Sequence, residues 1–155
     1  MANYLRAGDT ISGQEGSAQA IINGNVENLF MIQSLEATIE KNKEAVRTLG
    51  RRGEQQKAAG WSGSGSMTIY YVSSLFRKLM MDYVKHGRDL YFDIIIQNED
   101  PTSTIGRQTV ALHGVNLDSV LAASLDVEAT ALTEDIAFTF DDVDLMEEFT
   151  LPTNM

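Results

Sequence analysis

Apolar and polar residues along this chain alternate mostly with a period of two, broken once by a helical period. Residues 1–16 are polar and punctuated by glycine, which predicts an N-terminal arm without a core of its own. "SAQAIINGNVENLFMIQSLEATIE" then predicts a hairpin, because both central residues of a type I′ turn need positive φ and Asn23-Gly24 supplies them. Its second strand is long, Val26 to Glu40, with Leu35, Ala37 and Ile39 alternating against Ser34, Glu36 and Thr38. Residues 41–60 lose this periodicity and predict a long loop projecting from the body.

"GWSGSGSMTIYYVSSLFRKLMMDYVKHG" starts as a Gly-Ser tract and ends as an amphipathic helix. Met67, Ile69 and Tyr71 alternate with Ser66, Thr68 and Tyr70, so a strand follows the glycines directly. The tract is therefore expected to be a flexible entry to that strand. Leu75, Phe76, Leu79, Met80, Tyr83 and Val84 share one helical face, which predicts a helix over about 73–86. Ser73 or Ser74 suits its N-cap, and Gly87 suits its C-terminal stop after Lys85 and His86.

Beyond the helix the pattern is all strand: "LYFDIIIQN", the turn "NEDPTSTIG", "RQTVALHGVNL", "DSVLAASLDVEATAL" and "DIAFTFDDVDLM". In the last, Ile136, Phe138 and Phe140 oppose Ala137, Thr139 and Asp141. The expected architecture is mainly β: an antiparallel sandwich or barrel over residues 17–149 with one flanking helix, then a tail at 150–155. A chain of 155 residues with 43% hydrophobic content is large enough to bury one core unaided.

Charge adds something the pattern does not. The net charge is −10, and all 10 acids beyond Arg107 are unaccompanied by any Lys or Arg. Between Lys41 and Lys57 stand six of the 12 basic residues, against two acids. Solvated turns explain such runs adequately; the sharper reading is two complementary patches meeting between copies of the chain. On that reading Lys41, Lys43, Arg47, Arg51, Arg52 and Lys57 face Asp141, Asp142 and Asp144 of a neighbour.

Familiar chemistry does not fit the residues. The Gly-Ser tract lacks the Lys of a phosphate-binding loop and opens a strand. Gly60-Trp61-Ser62-Gly63 ends in Ser64 where a nucleophile elbow needs Gly. Without cysteine there is neither a disulfide nor a thiolate metal site. His86 and His113 are isolated, and Asp141, Asp142 and Asp144 lack the Gly and Glu of an EF-hand loop. An acidic chain with aromatics at sheet positions is not the profile of a nucleic-acid reader. No enzyme, metal or cofactor is expected. No long apolar run is present, so no membrane anchor is expected either.

The Gly-rich block quoted above, together with "YFDIIIQNEDPTSTIGRQTVALHGVNLDSV" and "DIAFTFDDVDLMEEF", closely resembles tail tube proteins of contractile phage tails and phage-tail-like bacteriocins, in particular the PBSX-like prophage set. The resemblance runs from about Arg6 to Phe149. It implies a structural virion protein that polymerises as stacked hexameric rings, with the inner sheets of neighbours joined into one barrel around a lumen. It further implies a surrounding sheath, baseplate and tail-terminator proteins as partners, DNA passing through without specific binding, and synthesis in the bacterial host cytoplasm. No catalytic residues come with it. The competing expectation from the residues is a monomeric ligand-binding β-module, such as a carbohydrate-recognition domain, with Trp61 as the one candidate platform.

Overall fold

The computed structural model describes residues 4–152; residues 1–3 of the expected arm and 153–155 of the expected tail lie outside the described residues. After a 3-10 turn at Ala7–Asp9, eight strands and one α-helix follow in the order β1 (Gly16–Ile22), β2 (Asn25–Asn28), β3 (Ile32–Val46), β4 (Gln55–Tyr70), α1 (Leu75–His86), β5 (Phe92–Glu99), β6 (Arg107–Ser119), β7 (Thr133–Phe140) and β8 (Asp142–Glu147). Every pairing is antiparallel, in the order β2-β1-β5-β6-β7-β4-β3, with β8 on β6. The mainly β architecture with one helix is as the periodicity requires.

β6 belongs to two layers. Its first part pairs with β5 and β8, and its end pairs with β7. The switch falls at a bulge where Gly114 has φ +67, opposite the Asp141 that separates β7 from β8. β7 and β8 thus act as one kinked strand crossing from layer to layer. Between the layers lies the core: Met67, Ile69, Ile136, Phe138 and Phe140 from one, Ala20, Ile94, Leu112 and Val115 from the other. Phe76 of α1 closes it against Phe92, their ring centroids 6.2 Å apart.

The Asn23-Gly24 hairpin is present, with φ of 52 and 80. Its expected second strand is divided: Leu29 and Met31 turn into the core, Phe30 faces solvent, and β3 restarts in the other layer. Residues 41–60 are not a loop. They complete a ribbon in which β3 and β4 pair from Ile32↔Ile69 to Val46↔Gln55, leaving only residues 47–54 as the turn. Periodicity vanished there because both faces are exposed, so no apolar alternation was required. A further bulge, Ala59 and Gly60 (φ +114) against Asn42, twists the ribbon.

The Gly-Ser tract lies inside β4 and is no hinge. Gly63 and Gly65 stand opposite Phe140 and Phe138, and the aromatic rings lie over the bare backbone. "DSVLAASLDVEATAL" is also not a strand: β6 ends at Ser119 and residues 120–132 form a connection, with Leu125 and Val127 exposed. Its alanines and missing alternation offered no face to a layer. On α1 only the N-terminal half docks, through Phe76, Leu75 and Leu79, whereas Tyr83 and Val84 are exposed. The helix is stopped by Gly87 in the left-handed region, its N–H donating to the Tyr83 carbonyl at 2.8 Å.

Candidate assembly surfaces

The ribbon is the most unusual surface. β4 has β7 as its second neighbour only across Gly63–Tyr70. Beyond that point Glu40–Val46 and Gln55–Ser62 pair with each other alone, projecting roughly 20 Å before the turn at the usual rise per residue. Every residue of this free part is exposed. Ile39, Val46 and Trp61 are apolar yet half open to water, and Leu49 at the tip is fully exposed at 104%. Trp61 tilts against Phe140 at the end of β7, with ring centroids 6.3 Å apart, so the base of the ribbon rests on the core.

All six basic candidates lie on the ribbon. Lys41 and Lys43 share one face of β3; Lys57 pairs across from Glu44 on the other. Arg47 is held to Glu54 at 2.9 Å. Arg51 and Arg52 lie in the turn with no hydrogen bond or ion pair among the described residues. The acidic candidates divide. Asp142 and Asp144 share the outer face of β8 around His113, to which Asp142 is in register and Asp144 is bonded at 2.9 Å. Asp141 instead folds over Gly114, where a Cβ would come within 2.5 Å of its Oδ2. Within one chain the basic and acidic sets do not meet.

His113 also faces Asp93, Nδ1 to Oδ2 at 3.4 Å. Partial desolvation pulls its pKa down, but hydrogen bonds to Asp144 and Asp93 and their charges outweigh it, and the net shift is upward. Nearby, Arg107 bonds Glu147 at 3.0 Å, and Thr109 donates to the same carboxylate, holding Glu147 below the usual glutamate range. The outer face of β5, β6 and β8 is therefore an acidic field with one titratable imidazole at its centre.

Two further arrangements had little sequence signal. Arg77 of α1 donates to Glu134 of β7 at 2.7 Å, to the carbonyls of Ser73 and Leu121, and stacks 4.3 Å from the Tyr71 ring centroid. Burial raises the Glu134 pKa, while the charge and hydrogen bond of Arg77 oppose that shift. The start of the chain is pinned by polar bonds: Thr104 donates to Asp9 Oδ1 at 2.6 Å, and the Ser12 N–H donates to Asp100 Oδ2 at 3.0 Å. Hydrogen bonds to the "NEDPTSTIG" turn thus replace the missing apolar burial of this segment. Among the described residues no group of three or more His, Cys, Asp or Glu is placed to hold a metal, and no helix is long and apolar enough to cross a membrane.

A two-layer β-fold with a doubly exposed ribbon, open strand edges and segregated charge defines a structural module acting through broad surfaces. The chain belongs to the phage tail tube protein family, whose model matches residues 3–147. It is 44% identical over 144 residues to the phage-like element PBSX protein XkdM of Bacillus subtilis (strain 168), spanning 93% of this chain and 95% of that protein. Among solved structures, the fold matches the sheath-tube complex of the PVC extracellular contractile injection system in its extended state, with TM-score 0.65 and 14% identity over 88% of this chain and 90% of that one. It likewise matches the SPP1 tail tube, with TM-score 0.64 and 13% identity over 94% of this chain and 83% of that one. Its role is structural, as a component of the tube of a phage-type tail.

Proposed function

We propose that copies of this chain close into hexameric rings that stack as the inner tube of a contractile tail. The tube lies within a sheath between baseplate and terminator proteins, and the subunits are made in the bacterial host cytoplasm. The observation that carries this reading is the ribbon Glu40–Ser62, exposed on both faces and too narrow to be stable alone. A second copy is the natural cover for it. The edges of β2, β3 and β8 each lack a second strand, so sheet continuation into neighbours removes the hazard that open edges carry. This role needs no catalytic residue.

In the ring, Lys41 and Lys43 of one ribbon meet Asp142 and Asp144 of the next subunit. Each exposed pair contributes only about 0–1 kcal/mol, but a closed ring repeats it at every interface. Light scattering and negative-stain electron microscopy of the purified chain test the reading. Rings and tubes are expected, forming more slowly as salt rises or with Lys41→Glu and Lys43→Glu together. Adding Asp142→Lys and Asp144→Lys should partly restore the rate. A chain that stays monomeric at high concentration refutes self-assembly; tubes indifferent to salt and charge refute only the charge contact.

A further inference from the structure

The ribbon tip and the helix carry complementary features that the charge patches do not account for. Leu49 is fully exposed, an apolar residue in the otherwise polar turn "RTLGRRGE", with Arg51 and Arg52 beside it. Such a side chain touches nothing in its own chain. On the body, a cavity of about 260 Å³ opens between α1 and the end of β6. Leu79, Met80, Tyr83 and Leu90 contribute to its walls, and Asp89 and Asp118 stand in its lining. Roughly 150 Å³ is enough to hold a benzene ring, so a leucine side chain fits with room for the stem of an arginine. No basic residue lines it; Arg88 precedes Asp89 in the chain but is not part of the wall. Asp89 is fixed by a hydrogen bond from Asn116 Nδ2 at 2.7 Å, whereas Asp118 has no partner among the described residues.

We propose that Leu49 of one copy seats in the cavity between α1 and β6 of a second copy, with Arg51 and Arg52 paired to Asp118 and Asp89. The lining offers apolar side chains for the leucine and two carboxylates for the arginines, the pairing of apolar and charged contact found at small interaction hot spots. It accounts for the exposure of Tyr83 in the C-terminal half of α1, which lines the cavity and takes no part in the core. It is heterologous, since knob and hole lie on different surfaces, so each copy both donates a tip and receives one. The inference rests on the self-assembly proposed above and assigns the ribbon tip its seat.

Because the chain has no cysteine, single cysteines report the contact cleanly. Chains carrying Leu49→Cys are mixed with chains carrying Tyr83→Cys, assembled, and treated with a short bismaleimide. Cross-linked pairs should form well above the level for Leu49→Cys mixed with Gly13→Cys. In parallel, Leu49→Asp should raise the concentration needed for tube formation about tenfold or more, as expected for losing one buried leucine, without altering the monomer's melt. Asp118→Arg should do the same, with partial recovery on adding Arg51→Asp and Arg52→Asp. Tubes that form normally with all these variants, or cross-links at the control level, overturn the seat while leaving self-assembly standing. A wild-type chain that never assembles overturns both.

Discussion

The packing of phenylalanines over glycines in β4 sets a sharp test of the fold. Gly65→Ala places a methyl group 2.5 Å from Phe138 Cζ and 2.7 Å from the Glu36 carbonyl oxygen. Phe138 is wholly buried and cannot swing outward, and the carbonyl belongs to the paired strand β3. Relief therefore requires moving either the core ring or the ladder. Overpacking of this kind costs about 1–3 kcal/mol, and the lower entropy of the unfolded alanine chain returns about 0.4–1 kcal/mol. A net loss of about 1–2 kcal/mol corresponds to a fall in melting temperature of about 2–8 °C for a chain of this size. Gly63→Ala should cost a similar amount, because its nearest contacts are ring atoms of Phe140 at 2.3 to 2.6 Å and that ring is also buried. Gly13→Ala, with nothing within 4 Å, serves as control and should stay near neutral. Urea unfolding followed by circular dichroism, and by the single tryptophan next to Phe140, measures all three. A Gly65→Ala midpoint equal to that of Gly13→Ala would falsify the account of why glycine stands there.

Two further outcomes follow from the buried and half-buried ions. Arg77→Ala leaves Glu134 buried without its partner and should lose about 3–5 kcal/mol in denaturant titration, while Arg77→Met with Glu134→Leu should regain most of it; a loss below about 1 kcal/mol in the single variant contradicts the pairing's role. His113 has a raised pKa, so its contribution to stability is complete below the unfolded value of about 6.5 and fades as pH climbs through the folded value. The melting temperature of wild type over His113→Gln should accordingly be larger near pH 5.5 than near pH 9, values chosen to lie roughly either side of that range, and equal offsets at both would show that Asp93 and Asp144 do not hold the imidazolium.

Where a residue's environment alternates in step with the chain, the sequence disclosed it. Ile136, Phe138 and Phe140 announced their strand because one face meets the core, and Asn23-Gly24 announced its turn because few other pairs accept both dihedrals. The ribbon stayed hidden because its strands are specified by the backbone ladder alone, and a two-sided exposed ladder leaves no periodic trace in side chains. Glycine in the same stretch suggested flexibility, whereas its cause lies on β7, far along the chain, where two phenylalanines need bare backbone beneath them. The charge segregation was visible as composition, but not that Asp141 folds over a bulge glycine while Asp142 and Asp144 flank His113. The exposure of Leu49 had one available clue, an apolar residue alone in a basic turn.

The energetics of the ribbon explain why its burial belongs to an assembly and not to a simple pair. Ile39, Val46, Leu49 and Trp61 are the apolar side chains it leaves in water. Covering each contributes about 1–3 kcal/mol, so one ribbon laid on one neighbour gathers about 4–12 kcal/mol before any cost. Bringing two molecules together costs about 4–15 kcal/mol in lost translational and rotational freedom. A lone dimer formed through one ribbon is thus close to balance. The geometry changes this, because a heterologous contact lets every copy give one ribbon and accept another. On closure the last subunit completes two contacts while losing its freedom only once. The expected signature is a sharp concentration threshold, with monomers below it and large assemblies above it, and few intermediates between. Sedimentation velocity across that threshold distinguishes this from stepwise association, which would show a graded ladder of dimers and trimers and would place the main affinity in some surface other than the ribbon.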